Sequence, residues 1–438
     1  PPRLAVHNNT KLTVEGHLSG TDSLIVGMSS VVELKNTGHT DNLGANRYHF
    51  QDFVIEDGGM VYTWEGVGGD ASVITTVNTT IGGELKGSLL SKLVVSGELN
   101  HSSTRFRVTA QGSIDGIGGG FATKKGPGSV PTSSNSGGSH AGRGGNTDKP
   151  TGETGGGPYG NYKWPTTQGS GGSTGSVAGG GGGAAVKLVA VKSFVLEGTV
   201  DMSGGDGKDA GGYNQQASGG GAGGSVYVET ESFSGSGSLH ASGGSGAVGY
   251  HGSRKAYSGG GGRIAVHCTG SRSFSGSFYA RGGKKGSGFA GGGAGTIYEN
   301  CGDHADMLTL DNGDAGVPAY NTPIGMDGIS NITIGHLQLF NNAKASFQSA
   351  GLGNVMVLSA RLGTVSGDAT GTLDVIPLSL VILENNDLTH HPENIGVTSE
   401  ALSPHESVVT ERIKYYMNDY LSSATHIIVQ EGGTLVTP

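Results

Sequence analysis

The sequence predicts an all-β fold: a right-handed parallel β-helix, or solenoid, with glycine-rich protruding arms and one short helix near the C-terminus. Three observations carry this expectation. Apolar residues alternate in short runs such as "KLTVEG", "SVYVET", "RIAVHC" and "ITIGHLQLF", the period-2 pattern of strands buried on one face. A repeat brings two such strands back at a fixed spacing. Between the strands there is no helical periodicity, which excludes alternating β-α-β units.

The repeat occupies residues 185–304. It reads "GGAAVKLVAVKSFVLEGTVDMSGGDG", then "GGSVYVETESFSGSGSLHASGGSG", then "GGRIAVHCTGSRSFSGSFYARGGKKG". Phe194, Phe233 and Phe274 hold equivalent places, and the closing glycines Gly205, Gly244 and Gly283 stand 39 residues apart. Each unit offers two short strands, too short to bury a face alone, so stacking of units must build the core. A propeller blade needs four strands, and the unit has two clear ones. Residues 1–115 follow the same grammar less regularly, with Phe106 and Ile114 in the two strands of one unit. Residues 116–184 form a Gly-rich insertion or arm. Residues 305–438 return to strand runs and are expected to continue the rungs. Within them "TERIKYYMNDYLSSA" spaces Ile413, Tyr416, Met417, Tyr420 and Leu421 at three and four, the basis for the short helix.

Composition narrows the class. The chain has 86 glycines in 438 residues, about a fifth against a usual ~7%. With 13 prolines and no Gly-X-Y period, neither collagen nor a disordered linker fits. Glycine without Cβ lets backbones approach closely, so the arms at 211–224 and 246–262 are expected to pack as extended polyglycine segments, while 116–184 reads either as such an arm or as a disordered loop. The 27 basic and 36 acidic residues leave a net charge of −9. No basic stripe points to nucleic acid, and no apolar run approaches the ~18 residues of a membrane span. The chain begins "PPRL", without Met or signal peptide, and is expected to be a mature product or a piece of something longer.

The run "SGGSHAGRGG … GPYG … GSGG … GGGGGAAVKL", followed by "GGAGGSVYVET" and "GGGGRIAVHC", is similar to glycine-rich parallel β-helix repeats of very large secreted or cell-surface, adhesin-like proteins. The likeness covers about 116–302. It implies an extracellular, elongated, structural or adhesive protein and no particular chemistry.

Candidate sites are few. Cys268 and Cys301 end aligned strands and occupy the same position. Stacked rungs lie ~4.8 Å apart, within reach of a disulfide in an oxidising compartment. Asn8, Asn78, Asn100 and Asn331 open Asn-x-Ser/Thr acceptors for attached N-glycans. "GGDGKDA" makes Asp206 and Asp209 weak calcium candidates, without the tandem copies such a site needs, and "DNGDAG" at 311–316 reads as a turn. Adjacent His390 and His391 point to opposite faces of any strand. Glycoside hydrolysis needs two carboxylates about one bond. Glu197 and Asp201 end strands of one unit, but the next units carry Ser236, His240, Ser275 and Tyr279 there. No line of carboxylates on adjacent rungs is therefore expected, no catalytic residue is assigned, and no cofactor is implied.

The expected function is that of a non-enzymatic extracellular or cell-surface structural protein, a tile of a filament or surface layer that self-associates head to tail. An adhesin or carbohydrate-binding module using the aromatics Tyr159, Tyr162, Trp164, Tyr213 and Tyr250 is the alternative, with external glycans as partners. A polysaccharide-active enzyme is the second alternative.

Overall fold

The computed structural model describes residues 2–15, 18, 21–35, 47–64, 71–83, 89–129, 135–145, 156–210, 215–247, 256–284, 291–302, 305–315, 322–325, 331–346, 359–368, 370–374, 380–383, 407–409, 414–416, 427–429 and 434–436. They are nearly all β, with long parallel sheets.

Up to Cys301, successive strands alternate between two sheets. Arg3–Val6, Ser23–Val26, Arg47–Ile55, Ser72–Ile81, Glu98–Val108, Ala185–Leu196, Ser225–Gly235, Arg263–Cys268 and Thr296–Cys301 lie side by side in the first. Lys11–Glu15, Val31–Lys35, Met60–Thr63, Ser91–Val95, Gly112–Asp115, Thr199–Asp201, Ser238–His240 and Ser277–Tyr279 form the second. Period-2 alternation turns one face of each sheet inward, and parallel register then stacks like on like. In the second sheet Val61, Leu93, Ile114, Val200 and Leu239 are direct neighbours across strands, all fully buried. In the first, Phe106 pairs with Phe194 and Phe194 with Phe233. Burying one such side chain contributes roughly 1.5–3 kcal/mol. His101 sits in the same core between Phe53 and Phe106, its Nε2 2.9 Å from Thr79 Oγ1.

The 39-residue spacing holds across the second sheet, where Thr199, Ser238 and Ser277 are partners. The first sheet departs from it. Its register shifts between Ala190 and Ser193, and Phe233 pairs with Arg272 while Gly235 pairs with Phe274. The Phe274 ring nonetheless reaches back to stack on Phe233, with centroids 4.4 Å apart. Ring burial therefore keeps the column continuous where backbone register does not.

Residues 305–438 do not simply continue the rungs. Gly302 adopts φ 63°, a conformation glycine reaches without strain, and the chain doubles back. Met307–Asp311 pairs antiparallel with Thr296–Cys301. The first sheet then goes on through Asn331–Phe340, Ser359–Gly367, Leu380–Leu383, Ser407–Val409 and Ile427–Val429, parallel to one another and opposite in sense to the earlier strands. The buried side changes too. Tyr227, Ala265 and Tyr298, on the face away from the first core, share a second core with Leu308, Leu310, Ile334, Leu337 and Leu339. A small sheet of Thr322–Pro323, Lys344–Ser346 and Thr372–Asp374 flanks this second core.

The expected short helix is corrected. Lys414–Tyr416 is a strand paired with Thr434–Val436. Tyr415 and Tyr416 favour extended backbone, and pairing supplies a ladder that an isolated helical turn lacks. Ile413, Met417, Tyr420 and Leu421 lie outside the described residues.

The described parts of three connections, 202–210 with 215–224, 241–247 with 256–262, and 280–284 with 291–295, lie between the second sheet and the first as glycine arms. They pack into an ordered lattice with 116–129, 135–145 and 156–184. Gly219–Gly224 shows its rule. Gly219 N–H donates to Ser173 O (3.1 Å) and Ala222 N–H to Ser170 O (2.9 Å). Gly220 and Gly223 donate to Tyr257 O and Gly260 O, and Gly221 and Gly224 to Gly205 O and Met202 O. Each neighbour is met every third residue, as expected of an extended helix with three residues per turn and no internal hydrogen bonds. The carbonyls serve other segments in the same way, Gly180 and Gly183 donating to Gly219 O and Ala222 O, and Gly138 to Gly220 O. None of these glycines needs positive φ. They are required by proximity, since a Cβ on Gly221 would run into the Gly181 carbonyl and one on Gly223 into that of Ala241.

Among the polar side chains buried in the lattice are Arg263 and His140. Arg263 donates from Nε and Nη2 to Tyr159 O (3.0 and 2.8 Å). His140 lies 2.8 Å from both Gly223 O and Thr167 Oγ1.

Two outcomes follow from this packing. Gly221→Ala should lose about 1–3 kcal/mol to overpacking, whereas Gly157→Ala, whose Cβ meets nothing within 4 Å, should stay within about 0.5 kcal/mol of the parent; denaturant melts compare them. Burial lowers the pKa of His101 and of His140 to about 3, helped at His140 by the Arg263 charge. The folded chain thus resists a proton that the unfolded chain accepts below pH 6.5. Stability should be full above that pH and fall as pH drops from 6.5 towards 3, with a shallower slope in His101→Gln.

Candidate functional site on the second sheet

The residues of the second sheet that alternate with its buried column point outward. Parallel register lines them up one per rung: Thr13, Glu33, Tyr62, Val94, Asp115, Asp201, His240 and Tyr279. Most are half-exposed.

Within the repeats His240 and Tyr279 follow Asp201, as expected, but on its other side Asp201 is the direct partner of Asp115, so one pair of carboxylates does stand on adjacent rungs. Comparison within the 39-residue repeats could not find the pair. Residues 116–184 separate the two rungs, and Asp115 closes a strand in the less regular part of the chain. The one usable signal was Ile114, already aligned with the repeat strand, whose next residue must stand in the place of Asp201 one rung away.

Each polar group in the column has its own partner. Lys92 Nζ lies 2.8 Å from Asp115 Oδ2, and Ile117 N–H donates to Asp115 Oδ1 at 3.3 Å. Ser203 N–H donates to Asp201 Oδ1 at 2.9 Å. His240 Nε2 is 2.9 Å from Ser238 Oγ, and its ring packs on Tyr279 with centroids 4.7 Å apart. Burial holds the His240 pKa below the ordinary imidazole value; the Asp201 charge opposes this and Arg281 adds to it. The Arg281 guanidinium covers the Tyr279 ring at 4.8 Å. At the other end Glu33 is lowered mainly by Lys11, 2.7 Å away.

Beside Asp115 a cleft of about 450 Å³ opens between Tyr62, Trp64, Lys92 and Ile117. Trp64 is 42% exposed and Ile117 52%. The Tyr62 and Trp64 rings, two residues apart and hence on one face, are nearly parallel at 17° with centroids 6.5 Å apart. The column thus offers an apolar platform, a row of hydrogen-bonding groups and a second aromatic platform.

The other sequence candidates are dispersed. Asp206 and Asp209 are exposed, and Asp206 Oδ1 accepts from Ser245 N–H at 2.7 Å, tying one arm to the next. Among the described residues no group of three or more His, Cys, Asp or Glu gathers as for a metal. Asp311 closes its turn by accepting from Gly313 N–H at 2.8 Å. Glu197 pairs with Arg107 and Glu231 with Lys192 at exposed positions. Asn8 is an exposed turn residue, and Asn78 Nδ2 donates to Asp52 Oδ1 at 3.0 Å. Asn100 lies mid-strand in Glu98–Val108, and Asn331 opens Asn331–Phe340.

Two of the proposed sugar-stacking aromatics are corrected. Tyr159 and Tyr162 are buried, because this part of the arm crosses the outer face of the first sheet and its rings fill the space beneath. Trp164 is 51% exposed and stacks on His267 at 6°. Tyr213, Tyr250, His390 and His391 lie outside the described residues.

Cys268 and Cys301 are direct cross-strand partners joined by a disulfide, with Cα atoms 4.4 Å apart. The bridge and the ion pair of Arg272 with Glu299 (2.7 Å) close the first core just before the reversal. Among the described residues no helix is long and apolar enough to cross a membrane.

Compared with protein-family models, curated proteins and solved structures, the chain gives no match.

Cys301→Ser should cost about 2–4 kcal/mol, read as a lower denaturation midpoint, and reductant should lower the parent to the same value.

Proposed function

We propose that the chain is a right-handed parallel β-solenoid serving as a non-enzymatic, extracellular structural element: a tile of a filament or surface layer that associates end to end and carries N-glycans. The observation that carries this reading is the end of the two sheets. Among the described residues, Arg3–Val6 and Lys11–Glu15 are each paired with a strand on one side only, and Leu4, Leu12 and Val14 pack there only partly buried against the core. A strand edge with apolar side chains beneath it is a template for another strand. The glycine lattice supports a mechanical role, since its peptide groups bond laterally between arms of the chain. The disulfide supports an oxidising compartment.

Electron microscopy and sedimentation of the purified chain test this reading. End-to-end particles that grow with concentration, and that shorten when Leu12→Asp charges the edge, are the expected result. Monomers at every concentration would overturn it.

A further inference from the structure

The outer column of the second sheet has features that a purely structural role leaves unused. Trp64 and Ile117 expose large apolar surface beside the Lys92–Asp115 ion pair, around a cleft of about 450 Å³. That volume is in the range of small-ligand sites. A nearly parallel pair of rings flanked by groups of opposite charge suits a molecule with an apolar face and a neutral rim of hydroxyls. A pyranose is such a molecule: its C–H face lies on an indole, and its hydroxyls exchange hydrogen bonds with carboxylates and ammonium. A net-charged ligand would lose one member of the ion pair as a partner.

The column extends this site in one direction. From Met60–Thr63 to Ser277–Tyr279 the sheet advances five strands, about 24 Å at the usual rung spacing. Asp115, Asp201 and His240 stand along the way, and the Tyr279 ring under Arg281 stands at the end. The rung spacing is close to the length of one sugar in an extended glycan, so successive sugars meet successive rungs.

We infer that this face binds a neutral, extended hexose polymer, one sugar stacked on Trp64 and Tyr62 and a later one reaching Tyr279. The site does not rest on end-to-end association. A filament that ignores glycans and a monomer that binds them are separate, readable results.

The test is titration of the full, disulfide-bonded chain with cellohexaose, mannohexaose and cellobiose, followed by calorimetry. At least one hexamer should bind about tenfold or more tighter than the dimer. Trp64→Ala should weaken the hexamer about tenfold or more, and Tyr279→Ala should weaken the hexamer but not the dimer. Trp164→Ala should match the parent. If Trp64→Ala fails to fold, the parent still decides: bound hexamer should shield Trp64, and not Trp164, from N-bromosuccinimide oxidation read by mass spectrometry. Absence of saturation by either hexamer at about 10 mM, unchanged affinity in a folded Trp64→Ala, or protection of Trp164 instead would each overturn the assignment.

Discussion

Buried peptide groups must find partners, and in the glycine arms those partners are peptides of other arms. An extended helix with three residues per turn has no hydrogen bonds of its own, so its N–H and C=O groups are satisfied only when neighbouring backbones come closer than a Cβ permits. Gly221 shows the condition, donating to Gly205 O while its missing Cβ leaves room for the Gly181 carbonyl. Arms of this kind must keep a common register. Gly204 and Gly207 donate to Ser242 O and Ser245 O of the next arm, and the strands between which they run repeat every 39 residues across the second sheet. Glycine is the least helpful residue for ordering a chain, because it loses the most conformational freedom. Here the lattice of lateral bonds offsets that loss.

The lattice also decides which surface is open. Residues 159–168 cross the outer face of the first sheet, where Arg263 bonds Tyr159 O, Ser225 Oγ donates to Thr167 O and His267 lies 2.7 Å from Lys163 O. There that face is covered, while over the earlier strands it is open, with Arg47, His49 and Gln51 exposed. The second sheet keeps most of its outer column half-exposed.

Much of this was legible in the sequence where the cause was local. Alternation named the strands, the matched places of Phe194 and Phe233 named their partnership, and the shared position of Cys268 and Cys301 in aligned strands named the bridge. What escaped depended on distant chain. Asp115 meets Asp201 across the 116–184 insertion, and only the neighbouring Ile114, aligned with the repeat strands, marks its place. Tyr159 and Tyr162 read as surface aromatics because the face they cover is formed by strands about a hundred residues later. The spacing around Tyr416 suited a helix, and the strand Thr434–Val436 overrode it by supplying a ladder. The reversal at Gly302 had only a glycine to mark it, in a chain where glycine is everywhere.

That reversal bears on chirality. After Gly302 the strands of the first sheet run the opposite way, and their buried side moves to the opposite face, while the sheet itself keeps adding strands in one direction. A path that inverts both its heading and its inner side keeps its screw sense, as two mirror operations restore the original hand. A corner that begins at Gly302 joins two back-to-back cores on one shared sheet.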